Sequence, residues 1–445
     1  MASPTTLETR IRIMDLSKQG LSDRAIAERL HLSVSTVRKW RRRADRSVRD
    51  GLYSQMGRPV RGALSAFPTE LEEFLVPLCE RYPSWGAKTL LAELKRHAYW
   101  KQENLPSIAT LQRWRKQRQL TRSYQFHHPL PDTGSEEKPA FVHDEWEMDA
   151  KGYQYIPDLG VIALIILNDC YSHTRLFAHP CILGNKRRTR HASTADYQAA
   201  LRLAFVEWGL PKRLSVDHES VFYDNDHNAP FPTQLHRWLI SLGVELQFGR
   251  KGFATDQAVT ERSHQLWHQQ VIEGQQYHHL DQLRARIQDR RDFLNFELPN
   301  ASLGEKPPLE AFPQAQIPKR IYHLSWEKDM LDLNRLYTYL AKGRWFRKVS
   351  KDGTLSLGAQ IYYLSRQYAR EQVEITFDVE SASFLFYSTD NTLIVKRPIK
   401  GNAKSDLMGE MAPWIGAGPI QLPIPFTYEQ WRMTQVTQSV KGTTL

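Results

Sequence analysis

Three carboxylates in the 445-residue chain stand where a hydrolytic or transfer reaction on phosphodiesters would need them. Asp149 lies inside a stretch, 145–156, that alternates like a strand. Asp217 directly follows Leu214-Ser215-Val216, at the end of another strand. Glu261 comes one turn into a helix that starts near residue 256. In an open α/β sheet, ligand groups gather at strand ends and at the helix starts beside them. Carboxylates from three such elements can converge and hold two divalent ions. Hard Mg²⁺ takes oxygen ligands and keeps several waters, and Mn²⁺ is its expected substitute. Two ions ~3.5–4 Å apart clamp the attacking and leaving oxygens of an in-line phosphoryl displacement. Other acids nearby are decoys. Glu147 shares a strand face with Asp149, and Asp224 and Asp226 sit in a polar loop over 223–233.

The elements that must position these acids follow from the pattern. Segments 145–156, 160–169 and 174–180 read as an antiparallel meander, the second a nearly continuous apolar run from Val161 to Leu167. A helix over 194–208, a strand over 213–216, a helix over 233–242, a strand over 244–247 and the long helix from about 256 complete the order β-β-β-α-β-α-β-α. This describes a mixed sheet with helices on its faces.

A basic N-terminal third precedes this core. The net charge is +11, and residues 1–140 hold 25 Lys and Arg against 15 Asp and Glu. Such an imbalance points to a polyanion, most often nucleic acid. Helices over 7–18 and 23–30, and a third capped by Ser33 or Ser35 and running to 43, form a helix-turn-helix. Leu7, Ile11, Met14 and Leu16 mark the first helix, and Val34, Val37 and Trp40 the buried stripe of the third. Ser35, Thr36, Arg38, Lys39, Arg41, Arg42 and Arg43 are left to meet base edges and phosphates. A Pro- and Arg-rich linker follows, in which Arg58 and Arg61 suit a narrow minor groove. Helices over 70–81, 87–97 and 109–119 repeat the logic, with Trp114 as anchor and Arg113, Arg115, Lys116 and Arg118 exposed. Two tandem readers imply a long, bipartite DNA site.

Trp146-Glu147-Met148-Asp149, Ser215-Val216-Asp217 and Asp256-Gln257-Ala258-Val259-Thr260-Glu261-Arg262 resemble the three acidic motifs of the DDE transposase/integrase superfamily. That superfamily has RNase H-like cores, as in retroviral integrase, phage Mu transposase and bacterial insertion-sequence transposases. Asn295 with Pro299 and the run from Leu303 to Ala311 resemble its post-core segment. The resemblance implies that Asp149, Asp217 and Glu261 are both catalytic and metal-binding, with two Mg²⁺ per site. It also implies that transposon ends are cleaved and joined to target DNA by a homo-oligomer on paired ends. Two departures are plain. His218-Glu219 follows the second acid where the family often has Asn-Gly, and Glu261 stands 44 positions after Asp217, longer than is usual in integrases. His218 is either a contact at the scissile region or a structural substitution. Arg250 and Lys251 form a basic loop suited to clamping a DNA end. His264, Gln265 and His268 share the helix face of Glu261 and are candidate DNA-end contacts.

Beyond a basic helix over 284–294, short strands over 344–349, 354–357, 359–364, 372–378, 383–388 and 392–397 suggest a small barrel. The expected architecture is multidomain. A helix-turn-helix domain (1–50), a linker (51–68), a second helical DNA-binding domain (69–122) and a linker (123–141) lead to an α/β RNase H-like core (142–312). A small β-barrel (313–400) and a tail (401–445) follow. Pro413-Trp414 and Trp431 are tail anchors, and the looser likeness to the Tn7-type layout implies an AAA+ ATPase as the partner they meet. Three cysteines rule out a disulfide framework and no apolar run spans a bilayer, so the expected location is bacterial cytoplasm, near the nucleoid. A tyrosine recombinase would need an Arg, His and Tyr array that is not found. The rival function is a DNA-binding regulator with an inactive integrase-like core.

Overall fold

The computed structural model describes residues 5–44, 62–121, 138–183, 191–224, 229–249, 258–409 and 427–433, with the side chains of 44, 151–153 and 258–261 outside that description. The chain divides into two compact units, Met1–Glu73 with Pro106–Gln119, and Phe74–Leu105 with Leu120–Leu445.

In the first unit, α1 (Leu7–Lys18), α2 (Asp23–Arg29) and α3 (Val34–Ala44) close around Ile13, Ile26, Ala27, Val37 and Trp40. Hydroxyl caps set the three starts: Thr6 accepts from the Thr9 amide, Ser22 from that of Ala25 and Ser33 from that of Thr36, so Ser33 is the third cap. The inward stripe of α1 differs from the one expected. Leu7 and Ile11 are exposed, whereas Arg10 is buried, with its guanidinium 3.9 Å from the centre of the Trp40 ring. This cation–π contact turns the 10–13–17 face inward. The next helices are α4 (Thr69–Arg81), α5 (Ala87–Arg96) and α6 (Ile108–Gln117). Ser107 caps α6, and Trp114 Nε1 donates to Glu72 at 3.0 Å.

The second unit is built on a five-stranded sheet. Its strands are β1 (Glu145–Ile156), β2 (Gly160–Asp169), β3 (Arg175–Leu183), β4 (Arg213–Val216) and β5 (Glu245–Phe248), in the order β3-β2-β1-β4-β5. The first three pair antiparallel, while β4 runs parallel to both β1 and β5. Helices α7 (Thr194–Trp208), α8 (Gln234–Ser241), α9 (Ala258–Trp267) and α10 (Leu280–Phe296) flank it. Trp146, Met148, Ile165 and Leu167 pack with α7 and α8. Ile162, Leu164 and Ile166 pack on the other face against Trp267, Leu283, Ile287 and Phe293. Strand β2 is therefore covered on both sides, which is why its sequence is apolar throughout rather than alternating.

Residues 74–105 also pack onto this unit. After α9 the chain makes one π-helical turn, His268–Ile272, and the stretch after α4 grips it. Trp85 Nε1 donates to the Gln269 carbonyl at 3.0 Å, Ser84 Oγ to Glu273 at 2.7 Å and Arg81 Nε to the Gly274 carbonyl at 2.8 Å. Gly274 has a φ of +68°, and a Cβ there would collide with the Arg81 carbonyl, so only glycine serves. Ion pairs Arg290–Glu93, at 2.6 Å, and Lys88–Glu305, also at 2.6 Å, extend the seam. Part of the expected second helical domain thus shares a core with the sheet.

Past α10 come α11 (Pro308–Ala311), α12 (Glu327–Met330) and α13 (Leu333–Leu340), then β6 (Trp345–Lys348), β7 (Thr354–Leu357), β8 (Gln360–Tyr363), β9 (Gln372–Asp378), β10 (Ser383–Tyr387), β11 (Leu393–Pro398) and α14 (Lys404–Met408). Helix α13 has no counterpart in the sequence reading. The strands form an open sheet, β11-β10-β9-β6, and a separate β7-β8 hairpin, not one closed barrel. Strand β6 leads into β7 through a tight turn at 350–353, with Ser350 Oγ accepting from the Thr354 amide. The β7-β8 hairpin pairs within itself instead of completing the ladder. Trp345, Leu355, Phe384 and Phe386 belong to the same buried cluster as Trp238 and Leu239 of α8, so this region is packed on the sheet domain, not tethered to it. Trp431 and Tyr428 of the tail lie against Trp326, each with ring centres 5.9 Å from it. Trp431, an expected partner anchor, is engaged within the chain, and Pro413 and Trp414 lie outside the described residues. No helix among the described residues is long and apolar enough to cross a membrane.

Two buried histidines make the fold acid-sensitive. Burial pushes His179 on β3 down to about 3 and His236 on α8 down to about 4. Unfolded, both titrate near ~6.5. As pH falls below that value, the unfolded chain takes up protons that the folded chain refuses. Stability is therefore full above about pH 6.5 and drops by ~1.4 kcal/mol per pH unit for each histidine. His236 packs edge-on against Phe248 and Tyr339, a place a phenyl ring can fill. The fall in melting temperature between pH 7 and pH 5 is expected to be smaller in His236→Phe than in the parent; equal falls would remove His236 from the account.

Candidate active site

The parallel register of β1 and β4 places the first two acids. Glu147 pairs with Ser215; Asp149 comes two residues later within β1, and Asp217 two residues later, directly after the end of β4, near enough for its charge to act on Asp149. The Asp149 face is the one that looks toward α9, opposite Trp146 and Met148. Three contacts seat α9 and the start of the π-turn there: Asn168 Nδ2 donates to Ser263 Oγ at 3.1 Å, His264 Nε2 lies 3.2 Å from Asp149 Oδ2, and His268 Nδ1 lies 3.3 Å from Gln154 Oε1. Position 261 is one helical turn before His264. The Glu261 side chain lies outside the described residues.

The electrostatics mark the pair. Burial, and then the charge of Asp217, pushes Asp149 up to about 6. Its Oδ1 accepts from the Ala150 amide at 2.7 Å. Burial pushes Glu147 up to about 7, opposed by Arg175 nearby. A buried carboxyl raised by a neighbouring negative charge, as Asp149 is, is what a divalent cation would relieve. The all-oxygen donors suit a hard ion, so Asp149 and Asp217 fit a metal site. Among the described residues no three such donors converge.

Glu219 was not foreseen as a site residue. Its amide donates to Asp217 Oδ1 at 2.9 Å, its carboxylate accepts from Tyr197 Oη, and His191 Nδ1 lies 3.0 Å from its Oε1. Glu219 also helps to raise Asp149. It stands where the motif often has glycine, and that departure was the available signal. His218 packs against Tyr223 and Phe248, with ring centres 4.9 and 5.5 Å away, which is the structural alternative. Asp224 pairs with Arg347 of β6 at 3.2 Å, so it serves packing; Asp226 lies outside the described residues. Asn295 holds the start of β3, bonding the Arg175 amide and carbonyl at 2.8 and 2.9 Å.

Among the expected DNA contacts, Ser35, Arg38, Lys39 and Arg42 on α3 are exposed, and Thr36, Arg41 and Arg43 half-buried. Arg38 and Arg41 are both paired with Asp23 of α2, whose carboxyl is held below its usual range mainly by its hydrogen bond with Arg41. On α6, Arg113 and Lys116 are exposed, Arg118 pairs with Glu72, and Arg115 is buried. The expectation for Arg115 is corrected: it lies beside Trp114 on the inward side. Gln265 is exposed and His268 half-buried. Arg58, Arg61, Arg250 and Lys251 lie outside the described residues.

A homeodomain-like domain model matches residues 4–53. No curated protein matches the chain. Among solved structures, the HTLV-2 integrase catalytic core domain in complex with magnesium, trimeric form, is 13% identical over 39% of this chain and 97% of that one, with a TM-score of 0.28. The dimeric form is 12% identical over 38% and 95%, with a TM-score of 0.26. The simian T-cell lymphotropic virus intasome in complex with PP2A regulatory subunit B56 gamma is 11% identical over 69% and 96%, with a TM-score of 0.33. By its own strand order and helix placement the chain is a homeodomain-like helix-turn-helix followed by an RNase H-like α/β core and C-terminal sheets.

Proposed function

We propose that the chain is a DNA transposase or integrase, which binds transposon ends, cleaves their 3′ ends by metal-dependent hydrolysis and joins them to target DNA by strand transfer. One observation carries the reading: Asp149 of β1 and Asp217, directly after the neighbouring parallel strand β4, lie near enough for one charge to act on the other, and Asp149 meets His264 of the helix in which position 261 falls. Asp149, Asp217 and Glu261 would hold two Mg²⁺, or Mn²⁺ in their place, which stabilise charge on the attacking and leaving oxygens. The carboxylates fix where the phosphodiester must lie. The Glu219 amide holds the Asp217 carboxylate, and Tyr197 anchors the Glu219 side chain. No side chain needs to bond covalently to DNA, since water and then a DNA 3′-hydroxyl attack along the same line. The exposed polar and basic residues of α3 and α6 hold the ends, and the enzyme acts as a homo-oligomer on paired ends. The test is direct: full-length protein, a labelled transposon-end duplex and Mg²⁺ should yield a nicked 3′ end and, with target added, a joined product. Binding without any product in Mg²⁺ or Mn²⁺ would make the chain a regulator with an inactive core.

End binding is expected to be bipartite and salt-sensitive, each phosphate contact steepening the log–log slope by ~0.9. Removing residues 1–68 should shorten the nuclease footprint while part of it persists through α6. An unchanged footprint would show that the helix-turn-helix reads no DNA.

A further inference from the structure

Among the described residues, His264 of α9 approaches Asp149 of β1 closely. His264 Nε2 lies 3.2 Å from Asp149 Oδ2, with the imidazole 16% and the carboxylate 26% exposed. Two donors bound at right angles to one ion, each about 2.1 Å from it, stand ~3.0 Å apart, close to the separation seen. The sequence adds a second, independent argument. Glu261-Arg262-Ser263-His264 is a Glu-x-x-His run on a helix. That i, i+3 spacing is how one helix gives a carboxylate and an imidazole to the same di-metal centre. The helix is also seated to do so, since Ser263 is bonded to Asn168 and His268 lies against Gln154 on either side of His264.

We propose that His264 is a metal ligand beside Asp149, so that the centre takes one nitrogen donor in addition to its carboxylates. This rests on the metal-dependent reading above and deepens it. Carboxylate oxygens favour Mg²⁺ and Mn²⁺, whereas imidazole favours later transition ions. A mixed centre therefore binds Mn²⁺ and Co²⁺ better, relative to Mg²⁺, than one of oxygens alone. His264 moves from a contact with the DNA end to the ion itself.

The probe is Mn²⁺ on the full chain, read by pulsed electron paramagnetic resonance, in which a directly bound imidazole nitrogen modulates the echo. Nitrogen modulation is expected in the parent, shifting in frequency when histidine is labelled with ¹⁵N. It should vanish in His264→Gln, with Mn²⁺ bound about ten- to a hundredfold more weakly. His191→Gln, His218→Gln and His268→Gln should keep the signal. If His264→Gln does not fold, persistence in all three of these assigns the nitrogen to His264, and loss in any one of them assigns it elsewhere and overturns the proposal. Mn²⁺ bound without nitrogen modulation, or with modulation that survives in folded His264→Gln, also overturns it while leaving the carboxylate site standing. Mn²⁺ binding that is indifferent to Asp149→Asn removes the site itself, and with it the proposed function.

Discussion

Asp149→Asn, Asp217→Asn and Glu261→Gln should each abolish end cleavage and strand joining while the protein still binds its DNA end. Each change keeps the size of the side chain and removes the charge that would hold a cation. The stabilisation an ion gives to developing charge is worth several kcal/mol, and ~4 kcal/mol is a thousandfold in rate. Product formation is therefore expected to fall by about a thousandfold or more. Asp224→Asn is the control, because that carboxylate serves Arg347 of β6 and not the site; its activity should stay near that of the parent. Binding should persist because the helices expected to hold DNA are in α3 and α6, away from the three acids in sequence. Near-parental turnover by Asp149→Asn, measured on the same labelled duplex, would end the assignment.

The second large effect concerns stability. Glu327 is fully buried and collects four donors: Arg202 Nε and Nη2, each at 2.7 Å, Trp238 Nε1 at 2.9 Å and Tyr322 Oη at 2.6 Å. Arg202 also donates to the Met408 carbonyl at 2.6 Å. The carboxylate thus joins α7, α8 and the stretch before α12, and Arg202 extends the link to α14. Glu327→Ala leaves a fully buried guanidinium without its counter-charge, and breaking such a pair costs ~3–5 kcal/mol. For a domain of this size the melting temperature should drop on the order of 10 °C. Glu327→Gln, which keeps the shape and loses the charge, should fall between. A melting temperature unchanged in Glu327→Ala would mean that the four bonds contribute nothing net.

Much of the sheet domain was legible because its signals are local. The alternation around Asp149, the apolar run of β2 and the hydroxyl caps each need only a few neighbouring residues. Strands β1, β2 and β4 and helices α1 and α7 fall on the expected residues. That Asp149 and Asp217 fall near each other was legible by position relative to those elements. What was not legible depends on pairs distant in sequence. Arg202 looks out of place among Leu201, Leu203 and Ala204, yet nothing nearby identifies Glu327 as its partner. The grip of Ser84 and Trp85 on the π-turn links residues about 185 apart in the chain. Arg10 reads as a surface charge until Trp40 is placed over it. The expectation of a barrel failed for a related reason: strand count and spacing are local, but whether the first and last strands meet is not.

That open sheet has a consequence for how the molecule behaves in a crowd of its own kind. A strand with no neighbour on one side offers its amides and carbonyls to any passing chain, and runs such as Leu393-Ile394-Val395 are the kind that stack. Among the described residues strand β11 pairs with β10 alone, and the run is followed at once by Lys396, Arg397 and Pro398. Charged side chains that must keep their water resist a second copy laid alongside, and the proline withdraws one amide from the rim. Arg397 Nε donates to the Tyr363 carbonyl at 3.1 Å and Lys396 Nζ to Asp378 at 2.8 Å, so the guard is itself held in place. Where a barrel avoids self-association by having no rim, this sheet keeps its rim and makes it an unwelcoming one.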